Sequence, residues 1–311
     1  MPRNFRLAFV EVLKPNDSLA MILQTKPDGA SSKPGTRTMK PAISQVCTLE
    51  ASLEADFEDY AAGQCEAIEL WLGKVDRYLE EHSTDDIRRL LDENGLVAPV
   101  AAFQGGLLTS QGDARREHWN LFGRRLQLCK ELGVQTLILA CDVHGPLAQQ
   151  DLDRVSVSLG QAAVAAGEKN VRLALEFQAP ATFGNNLQTA AALVAECNEP
   201  ALGLCLDVFH YYCGPSKPDD LAYLTSENLF HIQLSDLLGQ PRELASDADR
   251  ILPGDGDFLL EPLLANIREI GYQGYVSVEL MNPDIWRIPP RQFGEIAMTA
   301  LRSVLGQASM E

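Results

Sequence analysis

From residue 41 onward the chain repeats one unit eight times, a short β-rich apolar run followed by a segment of helical periodicity. The runs fall at residues 42–48, 67–72, 97–103, 136–140, 172–177, 202–206, 229–234 and 275–280. The helical segments fall at 53–62, 76–93, 114–132, 151–168, 187–196, 218–224, 259–270 and 291–305. Strand-then-helix alternation implies parallel βαβ units, because a parallel neighbour can be reached only by a crossover. The strands are almost continuously apolar, as strands covered on both faces must be. Glycines at 95, 133 and 271 stand where helices should stop. Eight units in about 265 residues fit one closed (β/α)8 barrel. An open doubly wound sheet would carry a Gly-rich turn after its first strand, and there is none. The fold class expected is therefore α/β, a single eight-stranded barrel.

The first forty residues are a different material. They hold seven Lys/Arg against three Asp/Glu, a net of +4, which leaves −21 on residues 41–311. Residues 25–38 are rich in Lys, Pro, Gly, Ser and Thr, without an apolar face. Residues 1–40 read as a flexible extension or as an early start ahead of Met39, and residues 41–311 as the barrel. A secretory signal is not expected, since Glu11 interrupts the apolar run at 7–13 and no small-residue cleavage site follows closely.

The whole chain carries −17, which repels phosphate backbones and anionic lipid. Neither nucleic acid nor a membrane is expected as a partner, and no apolar stretch nears the length of a span. Seven Cys without CxxC spacing, several inside apolar runs, read as small buried hydrophobes in a reducing setting, so a cytoplasmic location is expected. A homodimer is possible for a barrel of this kind.

Barrel chemistry sits at the C-terminal ends of the strands. Strand five ends Ala174-Leu175-Glu176-Phe177, and strand six ends Leu206-Asp207-Val208-Phe209-His210. Strand seven contains His231-Ile232-Gln233-Leu234, and strand eight ends Val278-Glu279-Leu280. Three carboxylates in apolar runs need a compensating charge. No Lys or Arg stands on those strand ends, so a bound cation is the simplest source. Oxygen donors alone suit Mg²⁺ or Mn²⁺ better than Zn²⁺, with Co²⁺ also possible. Each residue has a plainer reading. Glu176 and Glu279 can pair with loop arginines, Asp207 can cap the next segment, and Gln233 can bond a neighbouring strand. His231 reads as a core histidine, and Lys217 as a solvated lysine. Trp71, Phe103 and Gln104 wall a pocket or merely pack.

These residues resemble the xylose isomerase-like TIM-barrel superfamily of sugar phosphate isomerases and epimerases, over residues 41–305. The resemblance implies one divalent ion held by Glu176, Asp207, Gln233 and Glu279, with His210 as the histidine three residues after the aspartate. The run Pro253-Gly254-Asp255-Gly256-Asp257-Phe258 and Glu69-Leu70-Trp71 on strand two are further points of likeness. Gln233, where many members have His, resembles the hydroxypyruvate isomerase and 3-dehydroshikimate dehydratase branches. Arg250, just before Pro253-Gly254, resembles the dehydratase's substrate-binding arginine.

What this implies is a metal-dependent isomerase or epimerase of a small keto-sugar, acting through a metal-stabilised enediolate. Glu176 and Glu279 would transfer protons, while His210 and Arg250 would bind a small carbohydrate-like substrate. The alternative is a dehydratase of a 3-dehydroshikimate-like or inosose-like ring. A third class, the DNA-repair endonuclease IV barrel, requires a His-rich zinc cluster and a basic groove, which five His and −21 do not supply. A non-catalytic barrel would leave the four aligned ligands unexplained.

Overall fold

The computed structural model describes residues 38–307. Of the reading of residues 1–40 as a flexible extension or an early start, residues 1–37 lie outside them. The strands are β1 Lys40–Ser44, β2 Ala67–Trp71, β3 Val97–Gln104, β4 Thr136–Ala140, β5 Arg172–Glu176, β6 Leu202–Asp207, β7 Leu229–Leu234 and β8 Tyr275–Val278. All pair in parallel with their sequence neighbours, and β8 closes on β1. The fold is a single (β/α)8 barrel. The helices are α1 Leu53–Ala62, α2 Leu72–Tyr78, α3 Thr84–Glu93, α4 Gly112–Leu132, α5 Gln149–Gly167, α6 Leu187–Cys197, α7 Val208–Cys213, α8 Leu260–Glu269 and α9 Pro290–Val304. No described helix is long and apolar enough to cross a membrane.

Three segments depart from the expected periodicity, each for a local reason. The long helix expected over 76–93 is two helices. Ser83 accepts the backbone N–H of Asp86 while the Asp86 carboxylate accepts that of Ser83, a reciprocal cap that starts a new helix. The first strand stops at Ser44 and runs into a 3-10 turn, Gln45–Thr48, whose side chains reach Asp56 on α1. Pro218–Tyr223 is also a 3-10 turn, with Pro at its start. The Gly133 expectation holds, since that residue ends α4 at φ 73°, a left-handed conformation that favours Gly.

Register positions the site. Glu176 pairs with Cys205, and Asp207 with Gln233. Side chains alternate across a strand, so Glu176 shares the inner face with Ala174, Asp207 with Cys205, and Gln233 with His231. Val100, Ala102, Ile138, Ala174 and Cys205 pack as a small apolar cluster. The larger core lies between the sheet and the helices.

Asp56 and Lys74 form a buried ion pair at 2.6 Å, and Thr48 and Gln45 also donate to the carboxylate. Burial outweighs the pairing at both ends: it pushes the Asp56 carboxyl from 3.8 up to about 6 and the Lys74 ammonium down. Between pH 4 and 6 the folded state holds a proton that the unfolded state has lost. This contribution to stability is complete below pH 4 and disappears as pH rises through 6, by about 3 kcal/mol. The double variant Asp56→Asn/Lys74→Met should therefore lose less stability than wild type between pH 4.5 and 7. Urea melts at the two values measure it, and equal losses would contradict the assignment.

Candidate active site

The site grows from the ends of β5 to β8. Asp207 caps the short α7, its Oδ1 accepting the backbone N–H groups of Phe209 (2.7 Å) and His210 (3.4 Å). Capping turns α7 so that His210 folds back over the same carboxylate, its Nε2 3.7 Å from Asp207 Oδ2. Glu176, Asp207 and His210 are all buried, and one donor atom from each lies within 4.8 Å of the others. The His210 Nδ1 is buried without a hydrogen-bond partner.

Glu279 stands across from this trio, and Arg250 lies between. The guanidinium is 1% exposed. Its Nη2 donates to Asp207 at 2.7 Å, its Nη1 to Glu279 at 3.1 Å and its Nε to Asp247 at 2.9 Å. It also lies 4.5 Å from the Phe209 ring centre, within cation–π range. The strand ends supply no cation of their own, and the loop after β7 brings one in.

A buried carboxylate anchors that loop. Asp236 accepts the backbone N–H groups of Leu237, Gly254 and Phe258. The chain wraps so closely around it that a Cβ on Gly256 would stand 2.3 Å from Asp236 Oδ1. The Pro253–Phe258 motif thus closes around Asp236, and Arg250 precedes it. Asn282 donates to the Arg250 carbonyl and ties the loop to the end of β8.

Gln233 is buried beneath this layer. Its amide nitrogen donates to Glu279 at 2.8 Å and to Glu69 at 3.1 Å, and its amide oxygen faces the Cys205 thiol. His231 bonds Glu69 through Nε2 at 2.8 Å and is fully buried. Lys217 is exposed and does not line the cavity.

The electrostatics follow from crowding. Burial first, then the charge of Asp207, pushes the Glu176 carboxyl up to about 8. Burial also raises Glu279 well above the carboxylate range, although Arg250 pulls it back. At Asp207 burial acts upward, but Arg250 and then His210 outweigh it, and the carboxyl sits below its ordinary value. Burial holds the His210 imidazole below its usual range.

These groups open onto a cavity of about 540 Å³. Its lining adds Trp71, Phe103, Gln104, His118, Asp142 and Gln178 to Glu176, His210, Arg250 and Glu279. Gln178 donates to Glu176 Oε2 at 3.0 Å. Three of the lining groups had no place in the sequence reading as site residues. Gln178 is two residues past Glu176 on the same strand-end path, a spacing that could have marked it. His118 and Asp142 come from α4 and the β4 loop, and no pattern in the sequence announces them.

The xylose isomerase-like TIM barrel model matches residues 58–303. The chain belongs to that family. An inosose isomerase of Halalkalibacterium halodurans is 27% identical over 256 residues, covering 80% of this chain and 90% of that protein. A 3-dehydroshikimate dehydratase of Pseudomonas aeruginosa is 30% identical over 280 residues, covering 86% of this chain but 41% of that protein. Among solved structures, the IolI protein with a bound zinc atom superposes with a TM-score of 0.81 at 24% identity, covering 88% of this chain and 100% of that one. D-psicose 3-epimerase superposes at 0.67 with 20% identity, covering 86% and 100%. Both structural likenesses concern the fold.

Proposed function

We propose that this family member is a divalent-cation-dependent isomerase or epimerase of a small polyhydroxy ketone. The observation that carries the reading is the close approach of buried Glu176, Asp207 and His210, one donor atom of each within 4.8 Å of the others, beside a cavity that Glu176, His210 and Glu279 line. The residues fit a cation on their chemistry. Three buried carboxylates meet one guanidinium, two of them are pushed toward protonation by the crowding, and a buried imidazole nitrogen has no partner. Glu176, Asp207 and His210 would hold the ion, with Glu279 and Gln233 as the remaining donors inferred from the resemblance. An imidazole among the donors moves the preference from Mg²⁺ toward Mn²⁺, Co²⁺ or Zn²⁺, in keeping with the zinc-bound relative. When bound, such an ion polarises a carbonyl and meets the negative charge that develops on its oxygen.

The chain's own groups do the rest. Glu176 and Glu279 sit on strands separated by β6 and β7, so they approach a bound substrate from different directions. One takes a proton from the carbon beside the carbonyl, and a carboxyl returns it to the neighbouring carbon or the opposite face. Gln178 orients the Glu176 carboxyl by donating to its Oε2. Arg250 lines the cavity, but its nitrogens are engaged, so a substrate oxygen would share it with Asp207 and Glu279.

Deuterium exchange tests this. Mn²⁺-loaded protein in D₂O with D-fructose, D-tagatose and an inosose should give isomerised ketose carrying solvent deuterium at the exchanged carbon. The second reading, a dehydratase, rests on Gln233, on the Arg250 loop and on the dehydratase relatives. In it the same proton loss is followed by departure of a β-hydroxyl as water. With 3-dehydroshikimate it predicts loss of water to an aromatic dihydroxybenzoate, read by its ultraviolet absorbance, and no isomerised ketose from the panel.

A further inference from the structure

Phe103 is held in a conformation that a bulky residue avoids. Its φ is +81°, in the left-handed region, and the ring is 54% exposed. Left-handed backbone at a non-Gly aromatic is strained, and strain of this kind persists where surrounding groups enforce it. Three groups enforce it here. The strand bulges, with Ala101 pairing Leu137 and Gln104 pairing Leu139. Arg125, itself buried and bound to Asp76 at 2.7 Å, donates to the Phe103 carbonyl at 2.6 Å. Trp71 at the end of β2 stacks on the Phe103 ring, with centroids 4.4 Å apart and planes 29° off parallel. Gly73 leaves room for the stack, since a Cβ there would lie 3.2 Å from Trp71 Nε1 and 3.5 Å from Phe103 Cδ1. A bulge at a barrel rim re-aims a side chain. Here both rings line the cavity that holds Glu176 and Glu279.

We propose that Phe103 stacked on Trp71 is a specificity-determining platform that receives the C–H face of an uncharged six-membered polyhydroxy ring. Packing alone does not require it, because an exposed ring gains little from burial and the backbone is strained to present it. An aromatic face suits a cyclohexane-type ring, whose axial C–H bonds project from each face, more than an open-chain polyol that has no fixed face. Charge points the same way. Among the described residues lining the cavity, the guanidiniums are those of Arg125 and Arg250, and each already carries a carboxylate partner. Asp142, Asp247, Glu176 and Glu279 also line it, so a phosphate or carboxylate on the ligand away from the proposed ion meets like charge and no unpaired guanidinium. The inference rests on the proposed isomerase reading for where the reacting carbons lie.

The test uses the full chain loaded with Mn²⁺ and two unreactive probes, myo-inositol and the open-chain hexitol sorbitol, titrated by calorimetry. myo-Inositol should bind about tenfold more tightly than sorbitol, the scale of an aromatic stacking preference. Phe103→Gly and Phe103→Asn, both residues that accept positive φ, should bring the two affinities together. Their thermal midpoints should hold or rise by about 3 °C, because the strain is released. A merely structural Phe103 would instead show a lowered midpoint with the ring preference kept. That result overturns the proposal, as does wild-type protein that fails to prefer the ring. Neither probe has a carbonyl, so the readout is separate from turnover. Ring preference without deuterium exchange removes the isomerase reading alone, and exchange without ring preference removes the platform alone.

Discussion

Glu176→Gln and Glu279→Gln are each expected to lower turnover by about 10²–10⁴-fold, while Asp207→Asn acts mainly on cation affinity. The distinction comes from what each carboxylate does in the structure. Glu176 and Glu279 line the cavity from different strands and are placed to pass a proton to or from a bound substrate. Asp207 is held ionised by Arg250 and His210, and its Oδ1 is committed to capping α7. A glutamine fills the same volume and keeps a hydrogen-bonding oxygen, so the fold should survive while proton transfer stops. Steady-state rates at saturating Mn²⁺, with calorimetric Mn²⁺ titration of each variant, separate the two effects. If both Glu variants kept rates within a few-fold of wild type, the proton-transfer assignment would fall. If Asp207→Asn bound Mn²⁺ as tightly as wild type, Asp207 would not be a ligand.

The barrel was readable from the sequence because its signal is periodic. Apolar runs and amphipathic segments alternate eight times, and glycine marks helix ends at 95, 133 and 271. The carboxylates at strand ends were readable for the same reason, since alternation and chain order alone place Glu176, Asp207 and Glu279 on one rim. What a loop carries showed only through the resemblance. Arg250 was marked there as a substrate-binding arginine, but its burial against Asp207 and Glu279 was not legible, because no periodicity says that a loop will fold over a barrel mouth and bury a guanidinium. The anchor for that fold, Asp236, ends an apolar strand and reads in sequence like a simple turn residue. Phe103 was equally opaque. Its ring was visible as an aromatic near a pocket, but a positive φ is a property of backbone under tertiary constraint, and only the following Gly105-Gly106 hints at an irregular strand end. The strand ends showed the need for a compensating charge, and the structure supplies part of it from within the chain, with Glu279 paired to a loop arginine as its plainer reading had it.

That internal supply leads to the second large effect. Replacing Arg250 by Met keeps most of the side-chain volume and removes the charge. Asp207, fully buried, and Glu279, 4% exposed, would then face each other without their guanidinium. Breaking a buried ion pair from one side costs about 3–5 kcal/mol, because the remaining charge stays out of water. For a barrel of this length that corresponds to a midpoint roughly 10 °C lower, measured by circular dichroism in EDTA. Arg250→Lys should recover only part of the loss, because an ammonium cannot reach three carboxylates with the geometry of the planar fork. A divalent cation should discriminate further. If it binds among the same carboxylates, excess Mn²⁺ stabilises by mass action, and the gain should be larger in Arg250→Met, where no resident charge competes for Asp207 and Glu279. Addition of Mn²⁺ should therefore narrow the gap between variant and wild type. A variant that melts with wild type in EDTA would show that the guanidinium does not hold these carboxylates. A gap that Mn²⁺ leaves unchanged would place any bound ion elsewhere than among them.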